Sequence, residues 1–236
     1  MQFDKKACAR DYVWQRLQDD CLAAYPFPPH GRIPNFKGAK LAAEKLFDAP
    51  LLANARQIKA NPDSPQRFVR AEALRRGIKV YVPTPRLAGG FMLLDPATIR
   101  CDQAWHAAAR ANWPRFAMDV PLAQLPQFDA IVTGCVAVTI SGKRAGKGAG
   151  YSDLEFAILR ELGHAPAPVA TTVHDIQIVE DFPLAKHDQP LSLIATPSRL
   201  ISITETLAAP SGVDWAELPP DALVTMPILQ DLQRQR

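Results

Sequence analysis

A glycine-rich, cationic stretch at residues 141–153 constrains the fold of this chain more than any other feature. It reads Ser-Gly-Lys-Arg-Ala-Gly-Lys-Gly-Ala-Gly-Tyr-Ser-Asp and holds four glycines and three cations. The preceding residues 128–140 are apolar and β-branched, as in a strand that is buried on both faces. In residues 151–162 apolar side chains recur three and four positions apart, which predicts an amphipathic helix that ends at Gly163. The pattern therefore predicts a turn from a buried strand into a helix.

A turn of this kind favours an anion. A glycine-rich segment at a helix N-terminus leaves several backbone N–H groups without partners, and their partial charges attract negative groups. Lys143, Arg144 and Lys147 add positive charge, so a polyphosphate is a suitable ligand. The glycine spacing matches neither the P-loop nor the dinucleotide-binding fingerprint. The spacing alone leaves a phosphate-binding loop and a plain flexible turn as open alternatives.

Composition excludes several classes of protein. The 236 residues, 47% of them hydrophobic, can build one sizeable core. A net charge of +3 does not indicate a nucleic-acid-binding protein. No apolar run approaches the ~20 residues that a membrane span needs. The four cysteines are scattered and the N-terminal residues lack the apolar core of a signal peptide, so we expect a soluble protein of the cytoplasm.

Predicted helices and strands alternate along the chain. The helices span residues 4–22, with Asp4 as a possible cap, and residues 38–47, 66–76 and 151–162. The strands span residues 56–60, 79–82, 91–94, 128–140, 168–173, 191–195 and 199–203, and residues 99–112 have room for a short helix. This alternation predicts an α/β fold with three layers, α/β/α, around a mainly parallel sheet.

The domain organisation is predicted to be simple. A single α/β domain occupies residues 1–205. Residues 206–236 form a proline-rich C-terminal tail that we expect to lie loosely over the surface.

The order of motifs resembles the 5-formyltetrahydrofolate cyclo-ligase family. In that family a strand is followed by Gly-x-Arg-Leu-Gly-x-Gly-x-Gly-Tyr-Tyr-Asp, and here residues 142–153 read Gly-Lys-Arg-Ala-Gly-Lys-Gly-Ala-Gly-Tyr-Ser-Asp. Lys6-Ala-Cys-Ala-Arg10 resembles the N-terminal Lys-x-x-x-Arg of the family, and residues 177–180, Pro183, residues 187–188 and Thr196 follow in its order. Residues 32–38 and 61–63 are more similar to the divergent branch called methenyltetrahydrofolate synthetase domain-containing proteins.

The resemblance implies a NagB/RpiA/CoA-transferase-like fold with ATP and Mg²⁺ as cofactors. In the family's reaction, ATP phosphorylates the formyl oxygen of 5-formyltetrahydrofolate. A second folate nitrogen then closes the ring and phosphate leaves, which yields 5,10-methenyltetrahydrofolate. The implied partners are therefore ATP and a folate or related heterocycle.

The resemblance also implies a role for each matching residue. Arg144 and Lys147 would stabilise charge on the transferring phosphoryl group, which makes them the catalytic candidates. Asp153 and Asp188 would hold Mg²⁺ through hard carboxylate oxygens. The nucleotide-binding candidates are Lys6, Arg10, Arg144, Gly146, Lys147, Gly148, Gly150 and Tyr151, and the substrate-binding candidates are Tyr151 and Ser152.

The substrate half departs from the family pattern. Ser152 replaces an aromatic residue that can stack against the substrate, and Pro65 falls near the position of a substrate-contacting glutamate. Two alternatives to a folate enzyme therefore stay open: an ATP-dependent enzyme acting on another small heterocycle, for example in thiamine metabolism, and a non-catalytic binding or regulatory module. An RNA-binding role is the weaker alternative, because the tail lacks the aromatic-glycine pattern of RNA-recognition domains.

Simpler explanations exist for several of these residues. Lys6 and Arg10 also suit the solvated face of a helix, and Asp153 could merely complement a helix dipole. His174-Asp175 looks like a catalytic dyad, but adjacent strand residues point to opposite faces, which favours a strand-end turn. The block at residues 32–37 is consistent either with a loop entering a helix or with polar side chains converging on a ligand.

Overall fold

The structure is a computed structural model, and it describes residues 1–84, 87–205 and 207–234. The helices in these ranges are α1 (Lys6–Asp19), α2 (Ala39–Asp48), α3 (Pro50–Ala53), α4 (Gln66–Arg75), α5 (Ala104–Ala107), α6 (Trp113–Phe116), α7 (Tyr151–Glu161), α8 (Ala222–Thr225) and α9 (Ile228–Arg234). The strands are β1 (Ala23–Ala24), β2 (Asn35–Phe36), β3 (Gln57–Ala60), β4 (Lys79–Pro83), β5 (Phe91–Leu94), β6 (Ala117–Val120), β7 (Ala130–Thr133), β8 (Ala137–Thr139), β9 (Arg144–Ala145), β10 (Val169–Thr172), β11 (Ile178–Val179), β12 (Leu193–Ala195) and β13 (Leu200–Ser202).

Within the described ranges, eight strands form the main sheet in the order β13-β12-β10-β7-β3-β4-β5-β6. The inner strands β12, β10, β7, β3 and β4 are parallel to one another. The flanking strands β13, β5 and β6 are antiparallel. A parallel centre places the carboxyl ends of β3, β4 and β7 at one edge of the sheet, where loops can build a site.

Both faces of the main sheet are covered. On β7, Ile131 packs into a cluster with α7, whereas Ala130 and Val132 pack into a second cluster with α2 and α4. The same alternation occurs on β12, where Ile194 faces the first cluster and Leu193 the second. Side chains alternate between the faces of a strand, so a strand covered on both sides is apolar throughout. The predicted three-layer α/β/α fold with a mainly parallel sheet is confirmed.

The predicted strand at residues 128–140 is wrong as a single element. β7 ends at Thr133, the chain turns away at Gly134, and β8 joins a separate sheet with the order β11-β8-β9. A Cβ atom at Gly134 would lie 2.9 Å from the Ile33 side chain, so only glycine fits this change of direction. The apolar pattern did not reveal the break, because β8 is as fully buried as β7.

The glycine-rich stretch therefore contains a hairpin before its turn. β8 pairs with β9 in antiparallel register, so residues 140–143 form the hairpin turn and only residues 146–150 lead into α7. Lys143 lies on the hairpin and its ammonium donates to Asp181 Oδ1 at 2.6 Å. We call residues 146–150 the glycine turn below.

Helix α1 begins later than predicted and without the expected cap. Its N-cap is Lys5, which makes no side-chain capping bond, so the prediction of Asp4 as the cap is wrong. Ala9, Val13 and Leu17 bury one face of the helix in a third cluster that includes residues of β8 and β9. This packing leaves Lys6 and Arg10, on a neighbouring side of the helix, beside the glycine turn.

The C-terminal tail is packed rather than loose, in contrast to the prediction. Val213 and Met226 are buried in the cluster that contains α7, together with Ile228, Leu229 and Leu232 of α9. The proline-rich composition of this region concealed a short apolar helical pattern at its end. Within the predicted tail, residues 206, 235 and 236 lie outside the described residues.

Within the described residues, no helix has both the length and the apolar character that crossing a membrane requires.

Candidate functional site

A cavity of about 760 Å³ opens where the glycine turn meets α1 and the carboxyl ends of β3 and β4. The backbone after β3 contributes Asn61 and Asp63, and the end of β4 contributes Pro83 and Thr84. Every residue to which the family resemblance gives a site role lines this cavity: Lys6, Arg10, Arg144, Gly146, Lys147, Gly148, Gly150, Tyr151, Ser152, Asp153 and Asp188. Residues from three distant segments of the sequence therefore converge on one space.

The glycine turn needs its glycines at two positions. Gly148 has φ +104°, and a Cβ atom there would lie 3.6 Å from the Arg10 guanidinium carbon. Gly150 has φ +73° and is the N-cap of α7. Residues other than glycine rarely adopt such positive φ values. The turn therefore presents bare backbone to the cavity at the start of a helix, where unpaired N–H groups favour an anion.

Three of the cations that line the cavity, Lys6, Arg10 and Lys147, have side chains that are not buried, and we call them its outer end. Lys6 forms an ion pair with Asp188, and Arg10 donates through Nη1 to the Gly146 carbonyl at 3.4 Å. The Lys147 ammonium lies 3.7 Å from Asp63 Oδ1 and its side chain is 43% exposed. At this distance and exposure, the Lys147 ammonium can still donate hydrogen bonds to solvent or to a ligand.

Arg144 is placed differently from the other predicted cations. Its side chain is only 2% exposed, and it donates to Asp153 Oδ1 at 2.6 Å and to the Gly134 carbonyl at 3.2 Å. Burial lowers the pKa of Arg144, but the charge of Asp153 and the proximity of Cys135 outweigh it and hold the pKa above its ordinary value. Arg144 therefore stays charged and fixes the Asp153 carboxylate at the cavity wall.

Asp153 and Asp188 fit the donor chemistry of a Mg²⁺ site. Asp153 accepts its hydrogen bonds, from Arg144 and the Gln189 backbone, through Oδ1 alone among the described residues. Asp188 likewise engages Lys6 and the Ala185 backbone through Oδ2. Each carboxylate thus keeps one oxygen, and Mg²⁺ commonly takes one or two carboxylates and completes its octahedron with phosphates and waters. No cluster of three or more potential metal ligands occurs in the described part of the chain.

The deep side of the cavity is a network of buried polar groups, which we call the inner end. Asn61 Nδ2 donates to Ser152 Oγ at 2.6 Å, and Lys59 Nζ donates to Asn61 Oδ1 at 2.8 Å. Lys59 also pairs with Glu155, and both side chains are at most 4% exposed. Burial raises the pKa of the Glu155 carboxyl, and the charge of Lys59 offsets this only in part. No pattern in the sequence identified Lys59, Asn61 and Glu155 as site residues.

The segment after β3 is held in place by Arg70. Its guanidinium donates to the Asn61 carbonyl and to the Ala108 carbonyl at 3.0 Å, and the side chain is fully buried. Burial lowers the pKa of Arg70 to about 9. The segment places the carboxylate of Asp63 on the cavity wall, two residues before Pro65. The Asp63 carboxylate therefore lies close in sequence to Pro65, which falls near the position of the family's substrate-contacting glutamate.

Two other sequence candidates lie elsewhere. His174 caps a short 3₁₀ turn by accepting the Ile176 N–H on Nδ1, and Asp175 accepts from Thr196 Oγ1 at 2.8 Å, so the pair forms a strand-end turn. In the block at residues 32–37, Asn35 donates to the Tyr25 carbonyl at 2.8 Å. Among the described residues of that block, only Ile33 lines the cavity, which supports the loop interpretation.

Comparisons with known proteins show which proteins this chain resembles. The model of the 5-formyltetrahydrofolate cyclo-ligase family matches residues 22–197. The methenyltetrahydrofolate synthase domain-containing protein of Mus musculus is 37% identical over 237 residues, which cover 98% of this chain and 63% of the mouse protein. Its Homo sapiens counterpart is 34% identical over 231 residues, covering 95% of this chain and 60% of the human protein. The chain thus spans about three-fifths of the length of these relatives.

A more distant similarity extends to named enzymes and to a solved structure. The 5-formyltetrahydrofolate cyclo-ligase of Escherichia coli is 28% identical over 134 residues, covering 53% of this chain and 67% of that enzyme. The structure of Aquifex aeolicus 5,10-methenyltetrahydrofolate synthetase superposes with a TM-score of 0.53 at 14% identity, covering 90% of this chain and 99% of that one. At this identity the superposition establishes a shared fold.

Proposed function

Since the chain belongs to the 5-formyltetrahydrofolate cyclo-ligase family, we propose that it is an ATP- and Mg²⁺-dependent enzyme of that family with a divergent substrate half. The single observation that carries the proposal is the convergence of every predicted nucleotide and metal residue on one cavity. The reaction proposed is the family's own: conversion of 5-formyltetrahydrofolate and ATP to 5,10-methenyltetrahydrofolate, ADP and phosphate.

The outer end and the glycine turn would bind the triphosphate. Phosphoryl transfer needs little covalent chemistry from the protein and depends mainly on positioning and on stabilisation of charge. Lys147 and the backbone N–H groups of the turn supply positive potential at the cavity opening, and Lys6 and Arg10 add charge from α1. Arg144 contributes by holding Asp153 in a fixed orientation. Bound Mg²⁺, held by Asp153 and Asp188, would neutralise phosphate charge.

The inner end would face the substrate that accepts the phosphoryl group. Ser152 offers a hydroxyl that is already bonded to Asn61, where the family signature has a stacking aromatic. This observation supports a second candidate function: ATP-dependent activity on a heterocycle other than a folate. Asp63 and Asn61 supply a carboxylate and an amide that could bond to the amide edge of such a ring.

Ligand-dependent thermal unfolding tests the nucleotide half. We expect Mg²⁺-ATP to raise the melting temperature, since a hundredfold excess over Kd stabilises a protein by about 3 kcal/mol. Chelation of Mg²⁺ should reduce the shift, and Lys147→Gln should remove most of it. Lys143→Gln is the matched control, because Lys143 has the same charge in the same stretch but pairs with Asp181. Equal shifts in both variants, or none in the unmodified chain, would contradict the nucleotide site.

A direct assay separates the two candidate substrates. Formation of methenyltetrahydrofolate from 5-formyltetrahydrofolate and Mg²⁺-ATP is followed by its absorbance. Product formation supports the folate reaction. ATP binding without product, combined with ATP hydrolysis stimulated by another heterocycle in a screen that includes thiamine precursors, supports the second candidate. ATP binding with neither result supports a non-catalytic binding module.

A further inference from the structure

A second cavity, of about 840 Å³, adjoins the first across the glycine turn. One wall is formed by α7, including Leu154 and Ala157. The opposite wall is the tail segment at residues 210–221, with Val213, Trp215 and Leu218. Gly150 and Tyr151 line both cavities, so a ligand held at the glycine turn can extend from one into the other.

The tail wall is anchored to the domain and lies outside the part of the chain matched by the family model. That match ends at residue 197. The Val213 N–H donates to Glu161 Oε2 at 3.0 Å, and Lys186 pairs with Asp214 at 2.6 Å. After this segment, the apolar C-terminal end of the tail is buried in the cluster that contains α7. The tail wall of the second cavity is therefore a built feature that lies beyond the matched region, whereas the wall formed by α7 lies within it.

The two cavities differ in charge. Charged residues that line the first are five cations and four carboxylates: Lys6, Arg10, Arg110, Arg144 and Lys147 against Asp63, Asp153, Glu155 and Asp188. Those in the described lining of the second are one cation and five carboxylates: Lys186 against Asp153, Glu161, Asp214, Glu217 and Asp221. An anionic group is attracted to the first cavity and repelled by the second.

We propose that the second cavity binds the uncharged, amino-bearing base of the nucleotide whose phosphates lie at the glycine turn. The inference rests on the proposed function and adds the base to its triphosphate site. Leu154, Val213 and Trp215 provide apolar and aromatic surface for a planar ring. Carboxylates accept hydrogen bonds and cannot donate them when ionised, so they favour a ring with an exocyclic amino group, such as adenine, over one with a carbonyl.

Calorimetric titration with three Mg²⁺-bound ligands tests the proposal: ATP, inosine triphosphate and inorganic tripolyphosphate. Inosine triphosphate replaces the amino group of adenine with a carbonyl, and tripolyphosphate has no base. We expect ATP to bind at least tenfold more tightly than either. Trp215→Ala should remove most of the advantage over tripolyphosphate, and Glu217→Gln should reduce the preference for ATP over inosine triphosphate. Asp231→Asn is the matched control, because Asp231 is an exposed tail carboxylate paired with Arg234.

The outcomes distinguish this inference from the proposed function. If ATP and tripolyphosphate bind equally to the unmodified chain, the base site is wrong and the phosphate site stands. If ATP, inosine triphosphate and tripolyphosphate all fail to bind, both are wrong. A Trp215→Ala chain that loses affinity for tripolyphosphate as much as for ATP would show that the tail only supports the fold, which also overturns the base site. The comparison of the three ligands on the unmodified chain decides the question even if that variant fails to fold.

Discussion

Both ends of the first cavity carry lysine side chains, but Lys59 at the inner end is buried and paired, whereas Lys147 at the outer end is exposed. At the inner end, Lys59 and Glu155 neutralise each other in almost complete burial, and Asn61 links them to Ser152. At the outer end, Lys147 is 43% exposed and is only loosely paired, with its ammonium 3.7 Å from Asp63 Oδ1. A buried charge is tolerated only with a partner, whereas an exposed one keeps its water and can exchange it for a ligand. The inner end thus sets the shape of the site, and the outer end is available to an incoming anion.

Breaking the buried pair gives the largest expected effect on stability. Lys59→Met leaves the buried Glu155 carboxyl without its cationic partner, which should cost about 3–5 kcal/mol in the free energy of unfolding. Urea denaturation at pH 7 measures this value. The double variant Lys59→Met/Glu155→Leu should recover most of the loss, because it removes both charges and fills the space with apolar side chains.

An exposed pair provides the contrast. Arg16→Met removes one partner of the Arg16–Asp20 pair, whose side chains are 44% and 40% exposed, and should leave the free energy of unfolding almost unchanged. If Lys59→Met and Arg16→Met have similar effects, the inner end does not depend on its buried pair.

The sequence predicted the outer end better than the inner end for a physical reason. Exposed cations beside glycines form a local pattern, and Lys6 and Arg10 lie four residues apart on one helix face, so both signals are visible within short segments. The inner end joins Asn61 to Ser152 across 91 residues, and no local pattern encodes such a contact. Lys59 lies in β3, where its charge conceals a fully buried position.

The fold shows the same division. The α/β alternation is a property of local periodicity, and helices α2, α4 and α7 begin and end within two residues of their predicted bounds. The break at Gly134 was missed, because it depends on close approach of Ile33, about a hundred residues away in sequence. The packed tail was missed for a similar reason, since its burial depends on α7. Long-range contacts, not local preferences, decided these features.

Arg144 and Lys147 allow the same comparison of a buried and an exposed cation within a few residues of sequence, and the expected effect on stability is smaller. Arg144→Met deprives Asp153 of its partner and leaves the Gly134 carbonyl without this donor, which should cost about 2–3 kcal/mol in the absence of ligand. Lys147→Met should change the ligand-free stability by less than about 0.5 kcal/mol. Urea denaturation without ligand measures both. Equal losses would show that the two cations do not divide into a structural and a ligand-facing group.

We expect protonation of His174 to have the smallest effect on the free energy of unfolding, because its imidazole has a hydrogen-bond partner within the protein but is only half-buried. Burial lowers the pKa of His174 below its ordinary value of 6.5, and the charge of Asp175 opposes this only in part. The folded state therefore binds its proton less readily than the unfolded state does, so stability is present above pH 6.5 and is lost as the pH falls through the lowered pKa. The neutral ring is also the form that accepts the Ile176 N–H.

His174→Asn isolates this contribution, since an asparagine side chain can accept the same N–H at a cap and does not titrate. We expect the two chains to have similar unfolding free energies at pH 7.5, and the unmodified chain to lose more stability between pH 7 and pH 5. His164, whose pKa burial also lowers, is present in both chains and cancels in the difference. If the unfolding free energies of the two chains change in parallel over this range, protonation of His174 does not destabilise the fold. In that case a half-buried, hydrogen-bonded group contributes as little to stability as the exposed cations do.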